Sequence, residues 1–149
     1  MKNVREKELA EIFKKYKVKA AYIFGSQKEK GMVFLSGGEI KSEKGSDLDI
    51  GVVFGKLPLH TFEIYGEIYA SLALLFEPFE VDLVFLQETD IFLQYEAIKG
   101  EIIYCADPVF VEEYEEKIIK KAADLMYKKR EFEKDFFEAA KNGYFKIEY

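Results

Sequence analysis

Two carboxylates stand where an apolar stretch begins. Asp47 and Asp49 lie two residues apart, and the stretch from Leu48 to Phe54 is otherwise apolar. Residues two apart on a β-strand share one face, with Cα atoms roughly 6–7 Å apart. Packing does not account for two acids on such a strand, because buried carboxylates are costly unless they are paired or bind metal. At this spacing the two side chains can converge on divalent ions about 3.5–4 Å apart.

A Gly-Ser pair ends the other strongly apolar run, Ala20 to Phe24. Gly25 permits a tight exit from a strand and a close backbone approach by a ligand. Ser26 offers a hydroxyl group and a backbone N–H, and a helix that begins here would direct free N–H groups at an anion. Lys28 and Lys30 follow within reach of a phosphate. The pattern predicts a phosphate-binding turn.

A third acid lies in the stretch from Glu80 to Leu86, where apolar and polar residues alternate. Asp82 is expected on the opposite face from Val81 and Leu83, and on a strand next to the first two acids it would complete a cluster. Mg²⁺ binds carboxylate oxygens together with substrate phosphates, so the cluster predicts two Mg²⁺ ions. Ser46, just before the acidic pair, either orients that turn or has no role in the site.

The remaining pattern predicts the elements that must position these side chains. The order of helices and strands indicates a single α/β domain with a mixed sheet flanked by helices, an inserted β-hairpin and a long C-terminal helix. The aromatic tail, residues 144–149, is expected to pack back on the body. Strands are expected at residues 18–24, 48–54, 80–86 and 101–105, and helices at residues 3–17, 60–76, 90–99 and from 108 to about 142.

The hairpin is predicted for residues 32–45. An apolar arm, Met32 to Leu35, precedes Ser36-Gly37-Gly38, which reads as a glycine turn before the second arm, Glu39 to Lys41. The hairpin would project near the mouth of the proposed site. It is either a tolerated surface insertion or a lid or partner-binding flap.

Composition narrows the class of protein. The chain has 149 residues, 49% of them hydrophobic, and a net charge of -6, which argues against broad binding to nucleic acid. The one cysteine, Cys105, allows no internal disulfide, which fits a cytoplasmic protein. Cys105 ends a predicted strand, so its side chain is expected to be buried in the core. No signal peptide or membrane-spanning run is present in this sequence. Abundant Lys and Glu suggest a thermophilic source.

Three motifs together resemble the nucleotidyltransferase superfamily that includes DNA polymerase beta. They are Phe24-Gly25-Ser26, Ser46-Asp47-Leu48-Asp49-Ile50 and Val81-Asp82-Leu83. The short chain, and the stretch from Phe92 to Gly100 before Glu101 to Tyr104, resemble the minimal nucleotidyltransferases, or MNT proteins. The resemblance implies a nucleotidyltransferase core at 1–105 and a C-terminal helical extension of the same domain at 106–149. The chain departs from the pattern in a second glycine, Gly31, that comes one residue late, and in a longer segment before Asp47.

In that family three acids bind metal and the Gly-Ser turn holds nucleotide phosphate. The resemblance therefore implies that Asp47, Asp49 and Asp82 are catalytic metal ligands, and that Gly25, Ser26 and Ser46 bind the nucleotide. It also implies transfer of AMP from ATP to a hydroxyl group of a helical HEPN-type toxin, with this chain as the antitoxin. Two alternatives stay open: transfer to a small molecule such as an aminoglycoside, and a non-catalytic antitoxin that binds its partner by contact alone. A homo-oligomer is compatible with each of these functions.

Overall fold

A computed structural model describes residues 3–39 and 47–143 of the chain. Within these residues the elements alternate as expected for an α/β domain, and each matches its predicted position to within a few residues, except the second helix. The strands are β1 (Val18–Phe24), β2 (Asp47–Phe54), β3 (Glu80–Phe85) and β4 (Glu101–Cys105), and the helices are α1 (Val4–Lys15), α2 (Lys28–Leu35), α3 (Thr61–Leu75), α4 (Ile91–Ile98) and α5 (Pro108–Lys141). The side chain of Asn3 caps α1, as its position at the helix start predicts.

The strands form a mixed sheet in the order β3-β2-β1-β4. β1 is antiparallel to both β2 and β4, whereas β2 and β3 are parallel. Parallel neighbours require a crossover connection, and α3 supplies it. The predicted mixed sheet with flanking helices and a long C-terminal helix is confirmed. Because β2 and β3 run the same way, the acids near their starts lie at one edge of the sheet.

Successive side chains along each strand point to opposite faces of the sheet, so the core consists of two layers, one on each face. On one face, Ile23, Ile50 and Leu83 pack with residues of α1, α2 and α3. On the other face, Tyr22 and Phe24 pack with residues of α4 and of the first half of α5. This second face carries the candidate acids, because the register of the sheet places them beside Phe24 and in line with the partly buried Val84.

The predicted hairpin is wrong in its first arm. Residues 32–35 belong to α2, and Gly31, Phe34 and Leu35 share a buried face at helical spacing. A Cβ at Gly31 would overlap with Ile23 and Leu48, so α2 lies close against the sheet. Tertiary packing has overridden the strand preference of a short apolar run. Glu39 lies outside regular structure, and residues 40–45 of the proposed second arm lie outside the described residues.

Cys105 is exposed, which contradicts the prediction that it is buried. Cys105 is the last residue of β4, an edge strand of the sheet. An edge strand has a neighbouring strand on one side only, so its last residue is poorly covered.

The predicted contacts of the tail, 144–149, lie outside the described residues. None of the helices in the described part of the chain is long and apolar enough to span a membrane.

Candidate active site

Two of the predicted acids meet across the parallel strand pair. Asp49 on β2 and Asp82 on β3 are register partners, close enough for the Asp49 carboxyl, when it is protonated, to donate a hydrogen bond to the Asp82 carboxylate. Asp47 lies two residues before Asp49, exposed at the start of β2, and its register partner is Glu80. The structure thus brings Asp49 and Asp82 into contact and places Asp47 on the same side of the strand.

The surroundings of Asp49 disfavour a negative charge on its carboxyl group. Burial, followed by the charge of Asp82, the hydrogen bond to Asp82 and the charge of Asp47, raises the pKa of Asp49 from 3.8 to about 6. Each of these causes disfavours the carboxylate, and none is a neighbouring cation. Near neutral pH the cluster therefore holds more negative charge than its surroundings offset, and a bound cation would relieve it.

The donor set suits a hard divalent cation, although the side chains are not arranged around one. Carboxylate oxygens are the ligands that Mg²⁺ prefers. Within residues 3–39 and 47–143, no three side chains of His, Cys, Asp or Glu converge closely enough to hold a metal ion as they stand. Asp49 and Asp82 face each other across the parallel strands, so a metal ion bound between them would have to draw in Asp47 as a third ligand.

The predicted phosphate-binding turn lies directly against the acids. Phe24, the last residue of β1, is the register partner of Asp49. Gly25 follows with a φ of +80°, and a Cβ at this position would overlap with the carboxylate of Asp49. Ser26 is exposed in the turn that leads into α2, which begins at Lys28. The structure therefore brings Gly25 against Asp49, with Ser26 exposed next to it, whereas Ser46 lies outside the described residues.

Gln27 was not singled out from the sequence. It is the N-cap residue of α2, and its Nε2 donates a long hydrogen bond of 3.5 Å to Ser26 Oγ. Its Oε1 is buried without a hydrogen-bond partner in the described part of the chain. A buried acceptor without a donor is costly, so this atom beside the turn is suited to a donor that a ligand or its water would supply. Its position directly after Gly-Ser was the only signal in the sequence.

Gly100 is a second feature that the sequence did not reveal as part of the site. It ends the stretch from Phe92 that resembles the MNT proteins. A Cβ there would overlap with the carbonyl oxygen of Ile23 and lie 2.9 Å from the Cβ of Phe24. The absence of a side chain lets the connection between α4 and β4 lie against the end of β1, one residue before the Gly-Ser turn.

The raised pKa of Asp49 predicts a gain in stability when its charge is removed. The pKa of the Asp49 carboxyl is about 6 in the folded chain and an ordinary 3.8 in the unfolded chain. Its contribution to the free energy of unfolding therefore falls as pH rises through this window. We expect Asp49→Asn to raise the free energy of unfolding by about 1 kcal/mol at about pH 7.5, after discounting for solvent screening. The gain should vanish below about pH 4, where both states bind the proton.

Urea denaturation in buffer that contains a metal chelator, at several pH values, measures this difference. Asp124→Asn, which removes an exposed carboxylate from α5, is the matched control and should leave stability nearly unchanged. A lower stability of Asp49→Asn at neutral pH would show that the Asp49 carboxylate supports the fold.

Several solved structures share the fold at low sequence identity. A mutant MntA-HpeT toxin–antitoxin superposes with a TM-score of 0.64 at 18% identity, covering 89% of this chain and 98% of that chain. A toxin–antitoxin with AMP-PNP gives 0.61 at 18% identity, covering 89% and 98%. A tri-AMPylated Shewanella oneidensis HEPN toxin in complex with MNT antitoxin gives 0.58 at 18% identity, covering 92% and 99%.

Comparison of the sequence with protein-family profiles identifies the family more specifically than the shared fold does. The search of curated protein sequences finds no match. The profile described as "Polymerase beta, Nucleotidyltransferase" matches residues 7–109, which include β1 to β4, the Gly-Ser turn and the three acids. With this match over most of its length, and with the fold above, the chain belongs to the polymerase beta nucleotidyltransferase family.

Proposed function

We propose that this nucleotidyltransferase transfers AMP from ATP, with Mg²⁺, to a hydroxyl group of a helical HEPN-type protein in the cytoplasm, and so acts as the antitoxin of a toxin–antitoxin pair. The observation that carries the proposal is the contact of three elements at one edge of the sheet. Gly25 lies against Asp49, and Asp49 lies beside its register partner Asp82. A phosphate turn and an acidic pair are the two parts that metal-assisted nucleotidyl transfer requires.

The choice of AMP and of a protein acceptor is supported by the structures that share the fold. One contains the ATP analogue AMP-PNP, and another contains an AMPylated HEPN toxin in complex with an MNT antitoxin. The present chain also has Gln27 Oε1 free to accept a hydrogen bond beside the turn, as a ligand with hydroxyl or amino groups would provide.

In the proposed reaction the acceptor hydroxyl oxygen forms a bond to the α-phosphorus of ATP. The bond between that phosphorus and the β-phosphate bridging oxygen breaks, and pyrophosphate leaves. Asp47, Asp49 and Asp82 would hold the divalent ions, which supply Lewis acidity and lower the pKa of the acceptor hydroxyl. Gly25, Ser26 and the amides at the start of α2 would hold the phosphates, and Ser46 would orient the acidic turn. Asp82 is the candidate general base for the hydroxyl proton.

Incubation of the chain with Mg²⁺, radiolabelled ATP and the helical protein encoded by a neighbouring gene tests the proposal. Label at the α-phosphate should appear on the partner, and label at the γ-phosphate should appear only in pyrophosphate. A partner that is bound but unlabelled would favour the non-catalytic antitoxin. Label on an aminoglycoside instead of the protein would favour the small-molecule transferase, and label from the γ-position on the acceptor would exclude nucleotidyl transfer.

A further inference from the structure

The second half of α5 is exposed to solvent along its length, and part of it borders an open groove beside α4. The first half buries Val111, Tyr114, Ile118 and Ala122, but every residue from 123 to 138 is exposed. At 1.5 Å per residue, the segment after Ala122 continues for roughly 28 Å. Most helical stability in proteins comes from the packing of an apolar face rather than from intrinsic propensity. An exposed helix that also carries large apolar side chains therefore calls for a partner.

The apolar residues of this segment continue the buried stripe of the first half. Together with Lys129 they recur at alternating intervals of three and four residues, which is the spacing of a coiled-coil seam. The side chain of Leu125 is 42% exposed and that of Phe132 is 69% exposed. The rings of Phe132 and Phe136 stack with centroids 6.4 Å apart, so the stripe is continuous. We call these residues the α5 seam: Ala122, Leu125, Lys129, Phe132, Phe136 and Ala139.

We infer that the α5 seam binds the α5 seam of a second copy of this chain, with the two helices antiparallel about a two-fold axis. A two-fold interface requires a surface that is complementary to itself. With the axis between positions 129 and 132, Leu125 lies opposite the partner's Phe136, and Lys129 lies opposite the partner's Phe132. The first pair buries apolar surface, and the second places an ammonium group beside an aromatic ring.

The charged residues that flank the α5 seam favour the antiparallel arrangement of the two helices. The segment has a basic block, Lys128 to Arg130, followed by a mainly acidic stretch that contains Glu131, Glu133, Asp135 and Glu138. In the antiparallel pair, Lys128 faces the partner's Asp135 on one side of the axis, and the same ion pair recurs on the other side. A parallel pair in register would instead place Lys129 opposite the partner's Lys129 within the seam, which is destabilising. The self-complementary order of charges is the reason to assign a second copy, rather than an unrelated protein, to this surface.

This inference does not depend on the proposed function. The seam lies on α5 after Ala122, whereas the acids and the Gly-Ser turn lie on β1, β2 and β3. Variants of the acids should leave the dimer intact, and loss of the dimer should leave the folded nucleotidyltransferase domain intact. The two proposals can therefore fail separately.

Sedimentation equilibrium of the full chain tests the dimer. The expected mass is twice 17.4 kDa, decreasing on dilution. Lys128→Glu and Asp135→Lys should each raise the dissociation constant about tenfold, because each places like charges together twice. The double variant, Lys128→Glu with Asp135→Lys, should restore the dimer, since both ion pairs re-form with reversed sign. Circular dichroism checks that each variant is folded.

An aromatic pair gives a second, matched comparison. Phe132→Ala should weaken the dimer, whereas Tyr127→Ala should not, because Tyr127 is a similarly large aromatic residue, 65% exposed, that lies off the seam. A chain that is monomeric at all concentrations would overturn the inference, as would a charge-reversed double variant that stays monomeric. Loss of binding to the helical acceptor protein alone, with the chain monomeric throughout, would assign the seam to that protein instead.

Discussion

Replacement of Asp82 by Asn should lower the rate of nucleotidyl transfer by about 10³-fold or more, while the protein stays folded. Asp82 is exposed at the acidic edge of the sheet, and the Asp49 carboxyl, when it is protonated, is close enough to donate a hydrogen bond to it. The amide of Asn keeps the size of the side chain but removes the charge that would bind a divalent ion and accept a proton. The loss should therefore fall on the chemical step and on metal-dependent binding of ATP.

Two measurements separate this catalytic role from a structural one. Calorimetry of ATP binding with and without Mg²⁺ should show a metal-dependent increase in affinity in the native chain and a smaller one in Asp82→Asn. Asp124→Asn removes the same charge from an exposed site on α5 and should transfer AMP at the native rate. Retention of full activity in Asp82→Asn would remove Asp82 from the site, and loss of the folded state would make it a structural residue.

The fold and the placement of Asp49 beside Asp82 were predictable because they depend on local pattern. The apolar runs of β1 and β2 and the alternation in β3 fix which side chains share a face, so the shared position of Asp49 and Asp82 follows once the strands pair in parallel. Capping and breaking residues such as Asn3 and Pro108 fix the helix starts in the same way. These features require no knowledge of distant contacts.

Distant contacts determine what the sequence did not predict. The run Met32 to Leu35 has the composition of a strand, but Phe34 and Leu35 enter the core only as a helix, since Gly31 lets α2 approach the sheet. The exposure of Cys105 depends on β4 being an edge strand, which the order of strands along the chain does not reveal. The overlap that a side chain at Gly25 would make with Asp49 likewise depends on how β1 pairs with β2.

That last contact carries the second large effect. We expect Gly25→Ala to lower the catalytic efficiency for ATP by at least about 100-fold, because the new methyl group would occupy the space of the Asp49 carboxylate and close the approach to the turn. The positive φ of +80° adds backbone strain of about 1 kcal/mol, so the variant should also melt a few degrees lower.

A second glycine separates the steric effect from the strain. Gly37 has a φ of +100°, but a Cβ there would meet only the Asn3 Nδ2 atom, at an ordinary 3.8 Å. Gly37→Ala should therefore lose similar stability and keep its transfer activity, whereas Gly25→Ala loses both. If the two variants melt and react alike, the space beside Asp49 is not needed for the reaction. If only Gly25→Ala loses ATP binding and transfer, the Gly-Ser turn and the acids act as one site, because Gly25 affects catalysis through its contact with Asp49.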